Sequence, residues 1–398
     1  HHQMDWDQYG MIEEQRKAIE CILSGGVHVI TGSAGTGKTF LIKIAKNLIR
    51  ENMVICAPTG RAAKRVSELT GAEAKTIHRL LGAKIGAWEY NEENKLPYNV
   101  VVIDESSMAD MPLFYRLVSA LKDGTSIIMF GDPYQLPAVG VGDVLHDLIK
   151  SGVIPVHRLA TIHRQALLSS IITTANNGKS GHFSFKDLGN DVEYIQEDET
   201  EGVLGRIIDV YDRLLKEGYQ RKEIHIISPI HRSDTGVQYI NQRMQDYLNP
   251  KGEKIPNTFF RVGDRIMVIK NNYKKVLFNG DIGYITGVNR IDGKIDSISL
   301  NIDGGEYLYE MDELLELQLA YASTCHKYQG SESQIVIFPI TTQHYFGLNK
   351  NLIYTGMTRA KKKLILIGQA KAIMMGVKKT DNTVRYSDLA IKLRSYGL

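Results

Sequence analysis

Cysteine is scarce in this chain: Cys21, Cys56 and Cys325 stand isolated from one another among 398 residues. That spacing excludes a disulfide framework and a zinc site, and it leaves reduced, buried thiols as the expectation. Long hydrophobic runs are missing as well. The longest, within 334–340 and 363–367, fall far short of the ~20 residues that a membrane helix requires, so no transmembrane span and no membrane partner is expected. An excess of charge of either sign is nearly absent, with 48 Lys plus Arg against 45 Asp plus Glu. A net charge of +3 neither demands nor excludes nucleic acid, so the placement of the charges has to decide. There is no low-complexity tract and no internal repeat. The opening His1-His2-Gln3-Met4 reads as a purification-tag remnant before Met4 and lacks a secretory pattern, which points to a cytoplasmic protein.

What is present is the composition of a globular enzyme, 43% hydrophobic and 23% charged. A chain of this length exceeds the ~250–300 residues at which single cores stop growing, so two or more domains are expected. Short apolar runs at 27–31, 53–57, 99–104, 126–130 and 154–159 alternate with helical patterns, which is the rhythm of a parallel α/β domain spanning 1–160. A second series, at 192–196, 223–228, 318–323, 334–340 and 363–368, predicts a second α/β domain over 161–398. Two stretches break the rhythm. Residues 82–98 read as an inserted hairpin, and 256–314, punctuated by glycine and β-type runs, as an inserted small β-barrel.

Gly32-Ser33-Ala34-Gly35-Thr36-Gly37-Lys38-Thr39 matches the phosphate-loop pattern, and it follows a predicted strand and opens a predicted helix. Glycines let backbone N–H groups close around phosphate, Lys38 can reach the β- and γ-phosphates of ATP, and the Thr39 hydroxyl can ligate Mg²⁺. Some 60 residues on, the strand Asn99-Val100-Val101-Val102-Ile103 ends in Asp104-Glu105. Asp104 is the candidate on the metal side and Glu105 the candidate base, a pair that implies hydrolysis and not binding alone.

Read in order, further segments resemble the motif series of superfamily-1 helicases, most closely the RecD-like branch that moves 5′ to 3′, nearly end to end. The resemblance implies two RecA-like ATPase domains with parallel sheets. It places Gln15 as the adenine-reading glutamine, although a glutamine in an amphipathic helix is ordinarily just exposed. Gln135, in Gly131-Asp132-Pro133-Tyr134-Gln135, falls where relatives sense the γ-phosphate. Arg164, in His163-Arg164-Gln165, and Arg359, in Thr355-Gly356-Met357-Thr358-Arg359, resemble the arginines that stabilise transition-state charge. Gly330 and Glu332 would face the nucleotide.

The same resemblance sketches a track for nucleic acid. Pro58-Thr59-Gly60-Arg61 resembles the first DNA-contact motif, His78 a sugar or base contact, and Thr324 with His326 the phosphate grip of the second domain. In the barrel, Asn271, Tyr273 and Asn279 resemble the insertion that closes over single-stranded DNA. The hairpin lies where relatives carry a strand-splitting pin, with Trp88 or Tyr90 able to stack on the first unpaired base. Backbone grips without base reading imply a sequence-independent motor acting on single strands and forks, and a monomer is expected. Two other readings stay open: a translocase that strips proteins from DNA without unwinding, and a nucleotide-switched DNA-binding module. A small-molecule kinase would leave the second domain and its arginines unexplained.

Overall fold

The computed structural model describes residues 6–49, 51–230, 236–380, 385 and 387–396. The chain forms two compact units, 1–168 with 382–398, and 169–381. None of the helices among the described residues is long and apolar enough to cross a membrane.

The first unit is built on a six-stranded sheet in the order β3-β2-β6-β7-β1-β8. Its strands are β1 (Val27–Gly32), β2 (Met53–Ala57), β3 (Ala74–Thr76), β6 (Val100–Ile103), β7 (Ser126–Gly131) and β8 (Val156–Leu159), all pairing in parallel. The four inner strands, β2, β6, β7 and β1, are almost continuously buried because helices cover both faces, as parallel sheets require. The helices are α1 (Glu13–Leu23), α2 (Lys38–Leu48), α3 (Gly60–Thr70), α4 (Ile77–Leu80), α5 (Met111–Ser119), α6 (Val144–Ser151) and the single turn α7 (Arg164–Leu167). Thr59 caps α3 by accepting the Ala62 N–H, and Asp110 caps α5 by accepting that of Leu113. Two clusters of buried side chains fill the space on either side of the sheet. Each fully buried Leu or Ile contributes ~1.5–3 kcal/mol.

The hairpin is smaller than expected. Within 82–98 only β4 (Ala83–Lys84) and β5 (Ala87–Trp88) pair, and the rest is turns. Asn91 holds one of them, its side chain accepting the N–H groups of Glu93 and Asn94.

The second unit has a five-stranded parallel sheet in the order β16-β10-β17-β18-β9, made of β9 (Val192–Gln196), β10 (Ile224–Ser228), β16 (Ala322–Thr324), β17 (Ser333–Ile340) and β18 (Ala360–Gly368). Around it lie α8 (Ser170–Lys179), α9 (Thr200–Lys216), α10 (Val237–Leu248), α11 (Lys350–Met357) and α12 (Ala370–Lys378). The inserted antiparallel sheet, β14-β13-β12-β11-β15, comprises β11 (Arg265–Val268), β12 (Ile282–Ile291), β13 (Lys294–Ile302), β14 (Gly305–Glu310) and β15 (Leu317–Leu319). Asp292-Gly293 and Asp303-Gly304, all at positive φ, form its tight hairpin turns.

Two boundaries differ from the sequence reading. The run 318–323, expected as one strand, divides: β15 completes the inserted sheet against β11, and β16 joins the parallel sheet. The insertion therefore reaches Leu319. The tail expected in the second domain instead returns to the first unit as α13 (Leu389–Ser395), because Leu389 and Leu393 pack on its core and Arg394 donates to the Ser151 carbonyl at 3.1 Å.

Buried polar groups pin both passages between the parallel sheet and the insertion. The fully buried Asp264 carboxylate accepts from Gln245 (2.6 Å) and Asn249 (2.9 Å) of the α10 segment, and from the Tyr321 hydroxyl (2.8 Å). Asn241 spans the exit, donating to the Leu319 and Ala322 carbonyls and accepting the Ala322 N–H. Arg265 donates to His225 Nδ1 at 2.7 Å, which leaves His225 Nε2 to donate to Ser323 Oγ at 2.6 Å. Tyr328 stacks flat on His225, with centroids 3.8 Å apart.

Candidate functional site

Parallel register gathers the first unit's motif residues on one edge. Thr31 pairs with Gly131, Ile103 with Met129 and Cys56 with Ile103, so β1, β7, β6 and β2 all end together. From that edge emerge the phosphate loop, Asp104-Glu105, the Asp132–Gln135 turn and Pro58-Thr59. The carboxyl ends of the strands of an open α/β sheet are where such folds bind ligands.

The phosphate loop is shaped for close backbone approach. Gly35 and Gly37 adopt φ of 85° and 86°, which non-glycine residues rarely sustain. A Cβ on Gly32 would collide with the buried Thr36, whose hydroxyl donates to the Ser33 carbonyl at 2.7 Å. A Cβ on Gly37 would reach His163 Nε2 and Gln15 Nε2, within 2.7 Å of each. Lys38 opens α2 and its ammonium donates to the Gly32 and Ser33 carbonyls, at 2.5 and 3.2 Å. With Ala34 and Thr39 completing the turn, backbone donors at a helix start and an ammonium converge as a triphosphate requires.

Gln15 is wholly buried. Its carbonyl accepts the Ile12 N–H at 3.2 Å, which fixes the amide so that the NH₂ faces His163 Nε2 at 2.7 Å. His163 in turn donates its backbone N–H to Gly35 O at 3.0 Å. His163 was read only as a neighbour of Arg164; the structure ties it to the phosphate loop. The Arg164 side chain lies outside the described residues.

Asp104 and Glu105 are partly buried at the end of β6. Burial, with the Glu105 charge beside it, pushes the Asp104 carboxyl up to about 6. Glu105 sits at φ 52°, a left-handed conformation costing ~1–2 kcal/mol for a non-glycine residue. Its N–H donates to Asp104 Oδ1 at 2.9 Å, and its carboxylate meets Arg65 at 3.4 Å, a partner the sequence reading did not single out. Gln135 is buried in the turn after β7. Arg385 braces the loop beyond it, donating to the carbonyls of Ala138, Gly140 and Gly142. No motif marks Arg385, because its role exists only once the tail has folded back.

Along the same edge Thr59 caps α3, with the half-buried Arg61 in its first turn. The cap and the N-terminal amides present one phosphate-binding face. His78 is half-buried and its ring stacks on Trp88, with centroids 5.7 Å apart, and burial lowers its pKa. Trp88 and Tyr90 pack against the first unit's core, and Arg116 lies over the Trp88 ring. Both aromatics are thus partly buried, and the fully exposed side chain at the hairpin tip is Ile85.

In the second unit, Thr324 ends β16, accepts the Lys327 N–H at 3.2 Å, and precedes the exposed His326. Residues 325–332 then cross to the opposite edge, where Gly330 and Glu332 lie near Arg359. Arg359 is buried and donates to the Ser331 and Thr355 carbonyls, at 3.1 and 3.3 Å. One segment therefore links the candidate phosphate grip to the candidate nucleotide-facing arginine. In the insertion, Tyr273 and Asn279 are exposed, and Asn271 accepts the Asn279 N–H at 2.7 Å. Their loop is held by Lys275–Glu313 at 2.9 Å and carries Val276 at φ 56°.

Residues 10–200 match a family model described as an AAA domain, 319–367 a UvrD-like helicase C-terminal domain, and 240–298 an ATP-dependent RecD-like DNA helicase SH3 domain. An ATP-dependent RecD2 DNA helicase of Deinococcus radiodurans is 31% identical over 373 residues, covering 91% of this chain and 50% of that protein. A RecBCD enzyme subunit RecD of Mycobacterium tuberculosis is 30% identical over 430 residues, covering 97% of this chain and 74% of that protein. The chain thus spans half to three quarters of these relatives. A Bacteroides Pif1 helicase, solved with ADP-AlF3 and single-stranded DNA, shares the fold at 20% identity, with a TM-score of 0.58 and 97% of each chain covered.

Proposed function

Because this chain belongs to the RecD-like DNA helicases of superfamily 1, we propose that it hydrolyses ATP with Mg²⁺ to move 5′ to 3′ along single-stranded DNA and to separate duplex strands, acting as a monomer. The observation that carries this reading is the shared edge of the first sheet, where the loop around Lys38, the Asp104-Glu105 pair, Gln135 and the Thr59 cap emerge side by side. In this reading Gln15 reads the adenine edge, Lys38 and the loop amides hold the phosphates, and Thr39 with Asp104 would hold Mg²⁺, which polarises the phosphoryl oxygens when bound. Glu105 then orients and deprotonates the attacking water. Arg359 supplies positive charge for the transition state. Thr59 and Thr324, one on each unit, are the phosphate grips, and because they hold backbone the motor ignores sequence.

The test mixes the chain with ATP, Mg²⁺ and a fluorescent duplex carrying a 5′ or a 3′ single-stranded tail, with Lys38→Ala as the control. Opening of the 5′-tailed duplex alone is expected; opening of the 3′-tailed one alone reverses the polarity. A second reading, a translocase that does not unwind, draws on the shortness of the hairpin and the packing of Trp88 and Tyr90 into the core. DNA-stimulated hydrolysis with neither duplex opened would select it.

A further inference from the structure

The C-terminal edge of the second unit's parallel sheet carries an aromatic side chain that none of the motifs uses. Phe346, in the segment joining β17 to α11, is 93% exposed. The segment beneath it is firmly built. His344 is wholly buried, donates its N–H to Thr341 O and accepts the Thr341 N–H on Nδ1, both at 3.0 Å. Tyr345 meets Phe346 edge to face, with centroids 5.4 Å apart. Lys379 lies over the Tyr345 ring at 4.5 Å and donates to its carbonyl at 3.0 Å. Gly347 abuts Pro229 and Ile230, just past the end of β10. The ring is therefore held in place without being covered, so a ligand would meet it already ordered.

Its position follows from the register. Ser228 of β10 pairs with Thr324 of β16, and Ile226 of β10 pairs with Ile337 of β17. The ends of these three strands share one edge at ~4.8 Å spacing, and the approach of Gly347 to Pro229 and Ile230 sets the Phe346 segment just past the end of β10, the strand between β16 and β17.

We propose that Phe346, backed by Tyr345, is a stacking platform for one unpaired base of the strand whose phosphates Thr324 and His326 grip. Lys378 and Lys379, at the end of α12, supply positive charge for the adjoining backbone. The proposal rests on the reading of the chain as a single-strand motor and adds a base contact to it. A π-face contact of this kind tolerates any base, so it strengthens binding without conferring sequence preference.

The test measures binding of the full chain to a fluorescent oligothymidylate and to an abasic strand of the same length and charge. Phe346→Ala is expected to weaken oligothymidylate binding about 5- to 150-fold, the equivalent of ~1–3 kcal/mol per stacked base, and to leave abasic binding unchanged. Phe346→Trp is expected to restore binding and to gain fluorescence that only the base-bearing strand quenches. Truncating so exposed a ring removes no core contact, and unchanged melting of the variant confirms that it folds. Unchanged affinity of Phe346→Ala for oligothymidylate overturns the proposal, and so does an equal loss on both strands, which would assign the ring to backbone. A shift in oligomeric state with DNA affinity intact also overturns it, assigning the ring to a protein contact. If the unmodified chain binds neither strand, the motor reading itself fails, an outcome separate from all of these.

Discussion

Gln15 Nε2 and His163 Nε2 stand 2.7 Å apart, and the same His163 ties its backbone to Gly35 of the phosphate loop. The Gln15 amide and the phosphate loop are thereby joined through one residue. Gln15→Ala is expected to raise KM for ATP roughly tenfold, a loss of ~1.4 kcal/mol, with kcat little changed. His163→Ala should reproduce part of this by freeing the amide. Steady-state hydrolysis of ATP and GTP measures both, and an unchanged ATP-to-GTP preference in Gln15→Ala would count against base recognition.

Asp104 illustrates a stability cost placed at a functional position. Its folded carboxyl titrates near 6, above the usual 3.8, so the native state holds the proton more tightly than the unfolded chain does. Ionisation therefore destabilises the fold: the penalty is absent below about 3.8, grows as pH rises, and is complete above about 6. Asp104→Asn should stabilise the first unit by roughly 1–2 kcal/mol at pH 8, after allowance for partial solvent screening, while abolishing hydrolysis. Thermal melts without nucleotide or Mg²⁺ should show the gain shrinking between pH 6 and pH 4.

Glu105→Gln keeps the shape and the Asp104 hydrogen bond but removes the proposed base. Turnover should fall by about 10²- to 10⁴-fold while nucleotide affinity persists. Filter binding of ATP beside single-turnover hydrolysis separates the two effects. Full turnover in this variant would favour the nucleotide-switched binding module.

The hairpin divides its labour between tip and base. Ile85→Ser, at the exposed tip, should reduce strand separation and leave DNA-stimulated hydrolysis intact. Trp88→Ala, which opens the core and unstacks His78, should instead destabilise the first unit by ~1–3 kcal/mol and lower every activity together. An excision meant to remove the hairpin has to spare Leu96, which is buried in the same core.

Elements whose signal is local were legible in the sequence: the apolar runs of the parallel strands, the phosphate loop and the strand ending in Asp104. The sequence reading misplaced features governed by distant partners. The run 318–323 carries one β-type pattern, yet Asn241 grips the chain on both sides of residues 320–321 and sends the two halves to different sheets. Trp88 reads as a surface aromatic until α4 and α5 bring His78 and Arg116 against it. The resemblance singled out Gln15, but the helix pattern gives no reason for its burial, which the return of His163 from 148 positions away accounts for. Arg385 has no sequence signature at all.

The pinned passages around Asp264, Asn241 and Arg265 also bear on how such proteins change over generations. An insertion joined by loose linkers can be lost, gained or exchanged freely, but this one leaves a carboxylate and a guanidinium buried at its seams, with their partners on α10 and β10. Exchange of the insertion alone would leave both charged groups buried without these hydrogen-bond partners, at ~1–3 kcal/mol or more for each. The small sheet and the larger one that carries it are therefore inherited together, and recombination between relatives is expected to cut outside the span from His225 to Ser323.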